Sequence, residues 1–280
     1  MAGAASFFVR EGERYRPTDR SHGPWDEEQL SGSMIAALLA HGVERERPPG
    51  FHVARLTVDL FRAVPWAPLA VRTEVVRAGR RLHALDAWLE HEGRVVSRAS
   101  ALLLRPSEEP PGRVAEVPLS PPPPPERVPL DSETFPLLEG SWERRTLPAA
   151  PAGRPPTRWV RMLLPLLPGE AVSALERTAA AADMTNPSAN RSDRGLFFIN
   201  GDVTLYLHRP PEGEWLCMRV AARGSSEGIA TAECALFDRR GPVGRSSVVS
   251  LAMPQDSRAL REERTRGRGP AAAAAAESRG

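Results

Sequence analysis

Two stretches of this chain repeat each other in order and spacing, and that repetition limits the fold more than any single motif does. In the first, a helical segment at Ser31–His41 (SGSMIAALLAH) leads to FHVARLTVDLFRAVPW and then to RRLHALDAWLEHEGRVVSRASALLL. In the second, PGEAVSALERTAAAAD leads to DVTLYLHRPPEGEWLCMRV and then to GIATAECALFDRRGPVGRSSVVSLAM. Both read as helix, strand, proline-bearing turn and strand hairpin. Matching points keep a nearly constant separation, 145 residues for Val58 and Val203 (203 − 58) and 147 for Arg98 and Arg245 (245 − 98). Unrelated segments would seldom share that regularity, so the chain reads as one unit duplicated and fused.

Each repeat holds one long apolar helix and several strands of period two, as where Val203, Leu205 and Leu207 alternate with Thr204, Tyr206 and His208. One helix cannot cover both faces of a flat sheet. An antiparallel sheet curled around its helix, and continued by the sheet of the second repeat, leaves the fewest exposed edges and gives an α+β fold. Alanines 179–182 suit a helix backbone lying close to its neighbours, although a strong helix former on a surface reads the same way.

Composition places the boundaries. From Pro106 to about Pro156 the chain is proline-rich, with five in a row at Pro121–Pro125, and proline supplies no backbone donor for helix or ladder. The expected organisation is a first domain at 1–105, a linker at 106–155, a second domain at 156–255 and a disordered tail at 256–280 that contains the alanine run 271–276. With 280 residues, 41% of them apolar, two ordinary cores are within reach. A net charge of +2 argues against a nucleic-acid partner. All 37 basic residues are arginine, as the codon bias of a GC-rich genome would produce. No run approaches 18 apolar residues and no signal-peptide core opens the chain, so a cytoplasmic location without membrane contact is expected. Cys217 and Cys234 lie in alternating apolar segments, where an unpaired thiol behaves as a small core residue.

The motifs themselves resemble the double-hotdog acyl-CoA thioesterases of the type II class. The resemblance runs through both repeats, across most of residues 7–253. In the first half it rests on HGPWDEEQLSGSMIAALLAHGVE, ARLTVDLFRAVPWAPLAV and VVRAGRRLHALDAWLEHEGRVVSRASALLL. In the second it rests on AAAAD at 179–183, FINGDVTLYLHRPPEGEWLCM at 198–218 and GIATAECALFDRRGPVGRSS at 228–247. It implies two fused hotdog domains, each an antiparallel sheet wrapped around a central helix. It also implies hydrolysis of an acyl-CoA or carrier-bound acyl thioester with no cofactor or metal, and assembly into a homodimer.

The resemblance also implies site residues. The family's water-activating aspartate falls on Asp183. The residues alone place Asp183 in the last turn of a helix that should stop before Pro187, where the helix dipole disfavours a carboxylate and raises its pKa. A solvated aspartate in a turn is the alternative reading. The family's hydroxyl position falls on Asn200, whose amide can still orient a water, while Asn200-Gly201-Asp202 also reads as a tight turn. The family's glutamine falls on Val248 or Val249, whose side chains cannot hydrogen-bond, and the loss of one such group is worth roughly a hundredfold to a thousandfold in rate. Backbone N–H groups at the helix N-terminus around Ser31, Gly32 and Ser33 are the candidate substrate-binding donors.

Other motifs carry less. Gly224-Ser225-Ser226-Glu227-Gly228 matches a nucleophile elbow, but a strand-like IATAECALF follows it, so it reads as a loop between strands. The six histidines lack metal-ligand spacing. His208 reads as a packing or hydrogen-bonding residue at a strand end. The departures at Asn200 and Val248/Val249 leave two alternatives open: a hotdog enzyme of altered chemistry (dehydratase, isomerase or cyclase), or a non-catalytic acyl-binding protein.

Overall fold

The alternating segments of each repeat become long antiparallel strands, and the repeats join along one strand from each. The computed structural model describes residues 6–23, 26, 28–115, 119–132, 140–147 and 154–253. The first half comprises β1 (Phe8–Glu11), β2 (Arg14–Pro17), α1 (Gly32–Glu46), β3 (His52–Asp59), β4 (Leu69–Ala78), β5 (Leu82–His91) and β6 (Arg94–Leu104). The second begins with β7 (Trp142–Thr146), β8 (Arg158–Met162), α2 (Ala174–Ala182) and α3 (Thr185–Asn190), followed by the short strands β9 (Arg191–Ser192), β10 (Gly195–Leu196) and β11 (Phe198–Asn200). It ends with β12 (Asp202–Leu207), β13 (Trp215–Ser226), β14 (Ile229–Asp238) and β15 (Gly241–Ala252).

One sheet runs through both halves in the order β1-β2-β4-β5-β6-β3-β12-β15-β14-β13-β8-β7, with β11 also paired to β15. The junction is β3 against β12, in the register Asp59↔Asp202, Val58↔Val203, Thr57↔Thr204 and Leu56↔Leu205. This is the α+β double-hotdog arrangement, with the second sheet continuing the first. At the far edge the amides of Phe7 and Phe8 donate to the carbonyls of Pro165 and Leu166, so the second half also covers the outer edge of β1.

Strand register corrects the repeat spacing. The hairpins close at His91↔Arg94 and Asp238↔Gly241, which are 147 residues apart (238 − 91). Both hairpins shift register at equivalent places, Leu89/Glu90 and Leu236/Phe237, again 147 apart (236 − 89). At that spacing the counterpart of Thr57 is Thr204, so Val58 and Val203 are cross-strand partners rather than equivalents. A two-residue slip keeps every side chain on its own face, which is why apolar alternation does not reveal it.

The helices pack where the sheet curls. Ten consecutive residues of α1, Met34 to Val43, are buried, as befits a helix enclosed on all sides. Alanines 179–182 of α2 are buried as well. The two helices lie antiparallel. Ser33 at the start of α1 meets Asp183 at the end of α2, while His41 near the end of α1 meets Glu176 in the first turn of α2.

Part of the expected linker is ladder. Trp142–Thr146 carries no proline and pairs with β8 as the edge strand β7. The five-proline run lies against the second half, where Pro122 and Pro125 are buried and the carbonyl of Pro123 accepts from the Trp159 indole at 2.9 Å. The tail at 256–280 lies outside the described residues. The apparent nucleophile elbow is the β13–β14 hairpin turn, where Glu227 and Gly228 both take positive φ (50° and 78°), the backbone of a tight two-residue turn.

Candidate active site

Asp183 is placed by the junction between two helices. It caps α2 with helical dihedrals (φ −59°, ψ −28°). The helix stops before Pro187, as the sequence requires, but the chain does not straighten there. A new short helix, α3, begins at Thr185 and takes Pro187 as its third residue. There a missing N–H costs nothing, because the first amides of a helix have no partner within it.

The break turns the Asp183 side chain toward the first turn of α1. Its Oδ2 accepts from the Ser33 hydroxyl at 3.0 Å, and its carboxylate also accepts the Ser33 backbone N–H. Asn200 donates its amide to Oδ1 at 2.7 Å and to the Asp183 carbonyl at 3.2 Å. The contact with Gly32 is so close that a Cβ there would lie 2.8 Å from the carboxyl carbon. The structure thus brings together Asp183, Asn200, Gly32 and Ser33, although Ser33 lends its amide to Asp183 itself. Ser31 is the N-cap of α1, and its hydroxyl accepts from the Met34 amide at 3.2 Å.

Burial pushes the Asp183 carboxyl above the usual carboxylate range, and the bonds from Asn200 and Ser33 only partly offset it. The direction matches the sequence expectation but the cause differs. The dipole of α2 opposes the charge, whereas that of α1, whose positive end faces the same carboxylate, supports it. The residue as a whole keeps partial solvent exposure although its carboxyl is packed deep among protein atoms. A carboxylate has about four lone-pair sites. Three donors leave one for a water.

Asn200 sits at the end of β11, paired across to Ser250 of β15. The turn read at Asn200-Gly201-Asp202 is instead a local irregularity along β15, where the Gly201 amide donates to the Val249 carbonyl at 2.8 Å. The Val249 amide in turn donates to Asp202 Oδ1 at 2.6 Å. Because the Asp183 carboxylate only accepts, it fixes the Asn200 amide with Nδ2 inward, and Oδ1 then accepts the Ser250 hydroxyl at 3.1 Å. Val248 is buried and Val249 is 46% exposed, so neither position of the family's glutamine supplies a polar side chain to the site.

Ser250, 1% exposed, is the group that sequence reasoning missed. Its signal is parity. In the stretch SSVVS, Ser250 shares a face with Ser246 and Val248, and only the pairing of β11 shows that this face meets Asn200.

The helix after the break is anchored to the same strands. Asn186 donates to the Phe198 carbonyl at 2.8 Å, Asn190 to Asn186 Oδ1 at 2.9 Å, and the Thr185 and Ser246 hydroxyls lie 2.6 Å apart. Elsewhere, His208 is exposed just past β12, which removes the packing half of its reading, while its backbone amide donates to the Val243 carbonyl at 3.1 Å. Cys217 and Cys234 are unpaired, and burial pushes both thiols up to about 12, so they are unreactive at neutral pH. Among the described residues no group of three His, Cys, Asp or Glu side chains is set to hold a metal, and no helix is long and apolar enough to cross a membrane.

Comparisons with known proteins agree with this architecture. Residues 21–104 match the family model of the acyl-CoA thioesterase N-terminal domain, and residues 115–251 that of the C-terminal domain. No curated protein matches the sequence. Among solved structures, the chain is similar to an acyl-CoA thioesterase II, TesB2, from Mycobacterium marinum, at 20% identity and a TM-score of 0.65, with 88% of this chain and 95% of that one covered. It is similar to a thioesterase-like protein from Novosphingobium aromaticivorans at 24% identity and 0.67, covering 90% and 100%. A hot dog protein of unknown function from Alicyclobacillus acidocaldarius gives 17% and 0.69, covering 88% and 96%. At these identities the solved structures establish the fold, and the two domain models carry the activity. Neither the altered-chemistry enzyme nor the non-catalytic protein is favoured.

Proposed function

The chain belongs to the acyl-CoA thioesterase family, whose reaction is the hydrolysis of an acyl thioester, and from that premise we propose that Asp183 is the base that activates the attacking water. The observation that carries this reading is the Asp183 carboxylate itself, held by Ser33 and Asn200 at the mouth of α1. A carboxyl raised above its ordinary range is better matched to proton transfer near neutrality than an exposed one.

A water on the remaining lone pair of Asp183 gives up a proton and attacks the thioester carbonyl carbon. The developing oxyanion turns to the Gly32 amide, the first of α1 and therefore without a partner inside the helix. Collapse breaks the C–S bond, and the proton held by Asp183 passes to the leaving thiolate. Carboxylic acid and free thiol result. Water and thioester balance the reaction, so no cofactor is called for. Asn200 positions Asp183, and Ser250 positions Asn200.

The reading extends to acyl-coenzyme A as substrate and to a bacterial cytoplasmic setting, which the two unpaired buried cysteines suit. It includes a dimer of the fused chain formed through sheet edges. The test is release of free thiol from short, medium and long acyl-CoAs by the wild type and by Asp183→Asn at equal concentration. Turnover by the wild type and a fall of roughly a hundredfold or more in the variant is the expected result. Equal rates would remove Asp183 from the role of base.

A further inference from the structure

Beside α3 a groove of roughly 790 Å³ opens between that helix, the end of β13 and the segment entering β8. Four arginines line it, Arg154, Arg158, Arg191 and Arg223, with Asp193 the one carboxylate among the described lining residues. We propose that this groove binds the phosphate groups of the coenzyme A nucleotide, so that the substrate is held at its phosphate end while its thioester end reaches Asp183. The proposal rests on the reading of the site as an acyl thioester hydrolase.

The arginines are arranged for an external anion. Among the described residues, neighbouring arginines of this part of the sheet are already paired, Arg144 with Asp131 and Arg161 with Glu143 and Glu214. Arg154, Arg158 and Arg223 have no carboxylate within ion-pair distance among those residues. Arg158 is half-buried and its Nε has no hydrogen-bond partner among them. Arg223 is aimed by a relay from the catalytic side. The Phe198 carbonyl holds Asn186, Asn186 holds Asn190, and Asn190 Oδ1 accepts from Arg223 Nε at 2.8 Å. That bond uses one of the five guanidinium donors and leaves four.

Burial, together with the charges of Arg144 and Arg191, makes the protonated form of Arg158 harder to hold, and Asp131 answers this only in part. Like charges gathered around one concavity are costly, and a bound phosphate offsets that cost with charge-assisted bonds that the guanidinium fork fits well. Pro187 and Ser188 of α3 form part of its wall, so the groove adjoins the helix that directly follows Asp183. A small-molecule phosphate fits better than a carrier protein. The volume lies in the range of ligand pockets, whereas docking a protein would need on the order of 800 Å² of matching surface.

The experiment uses the full chain. Binding of adenosine 3′,5′-bisphosphate is measured by calorimetry for the wild type, Arg158→Gln, Arg223→Gln and Asp183→Asn. In parallel, kcat/KM is compared for an acyl-CoA and for the same acyl group on pantetheine, which carries no phosphate. The expected result is binding that weakens with salt and falls roughly tenfold or more in each arginine variant, while Asp183→Asn keeps it. The preference for acyl-CoA over acyl-pantetheine falls by a similar factor in both arginine variants. Arg223 is exposed, so its variant keeps the test valid should replacement of the half-buried Arg158 disturb folding.

Equal nucleotide affinity in wild type and Arg223→Gln would overturn the groove assignment and leave the hydrolase reading standing. Nucleotide binding lost in Arg223→Gln, with no thioester cleaved by the wild type, would support the groove and overturn the hydrolase. Hydrolysis of acyl groups on a carrier protein but not on coenzyme A would overturn the choice of ligand.

Discussion

Thr204 donates its hydroxyl to Thr57 at 3.2 Å across the β3–β12 junction, and the two residues are each other's counterparts in the duplicated units. The approximate two-fold axis of the chain therefore passes between them, and the junction is self-complementary in the way of a symmetric dimer interface. The same axis relates the two ends of the α1–α2 pair. At one end Ser33 meets Asp183 and forms the candidate site; at the other His41 meets Glu176 at 2.8 Å, both buried. The duplication thus leaves one end open to chemistry and the other sealed.

Asn200 should set the pH at which the site works. Its bond favours the ionised form of Asp183, so removing it by Asn200→Ala moves the acid limb of kcat/KM to higher pH. In the wild type that limb is expected above the range of an ordinary carboxylate, because burial raises the group. A limb at the same pH in both proteins would show that the bond does not act on the ionised carboxylate.

Asp183→Asn should stabilise the fold at neutral pH while it lowers turnover. A carboxyl whose folded pKa is raised contributes stability that is fully present below its unfolded value, near 3.9, and is lost as pH rises through the folded value. The variant carries no such charge, so it gains roughly 0.5–2 kcal/mol at pH 7, and the gain shrinks toward pH 3. Urea melts at the two pH values measure this. A variant less stable than the wild type at pH 7 would contradict it.

Ser250→Ala leaves Asn200 Oδ1 without its donor and the amide free to turn away from Asp183. The expected effect is a fall of roughly tenfold in kcat with little change in KM, because the lost bond is worth about 1–1.5 kcal/mol and acts on the base rather than on substrate binding. Ser250→Thr keeps the hydroxyl and should restore most of the rate. An unchanged kcat in Ser250→Ala would remove Ser250 from the positioning chain.

Glu176→Ala strikes the sealed end. It strands the buried His41 and removes the capping box, in which Glu176 accepts the Ser173 amide at 2.7 Å while the Ser173 hydroxyl accepts the Glu176 amide. A loss of about 3 kcal/mol or more is expected in chemical denaturation. A loss under about 1 kcal/mol would mean that the pair contributes little to holding α1 against α2.

Much of the site was legible in the sequence, though unevenly. Asp183 and Asn200 were singled out through their resemblance to a family pattern, and Gly32 and Ser33 as the start of a helix, since single residues carry no record of what they face across space. Their meeting depends on two helices lying antiparallel across a duplicated fold. The arginine groove escaped notice because its members are spread from residue 154 to residue 223 and carry no common spacing.

By itself the sequence determined the duplication, the alternation of each strand, the start of the first helix near Ser31 and the proline-rich interval, because these follow from local periodicity and composition. Only the tertiary structure decided the true register of the repeats, the strand hidden within the linker and the place of Ser250 beside Asn200. Period-two alternation is unchanged by a slip of two residues. Long-range ladder pairing, which no local propensity records, sets which polar side chains converge on one carboxylate.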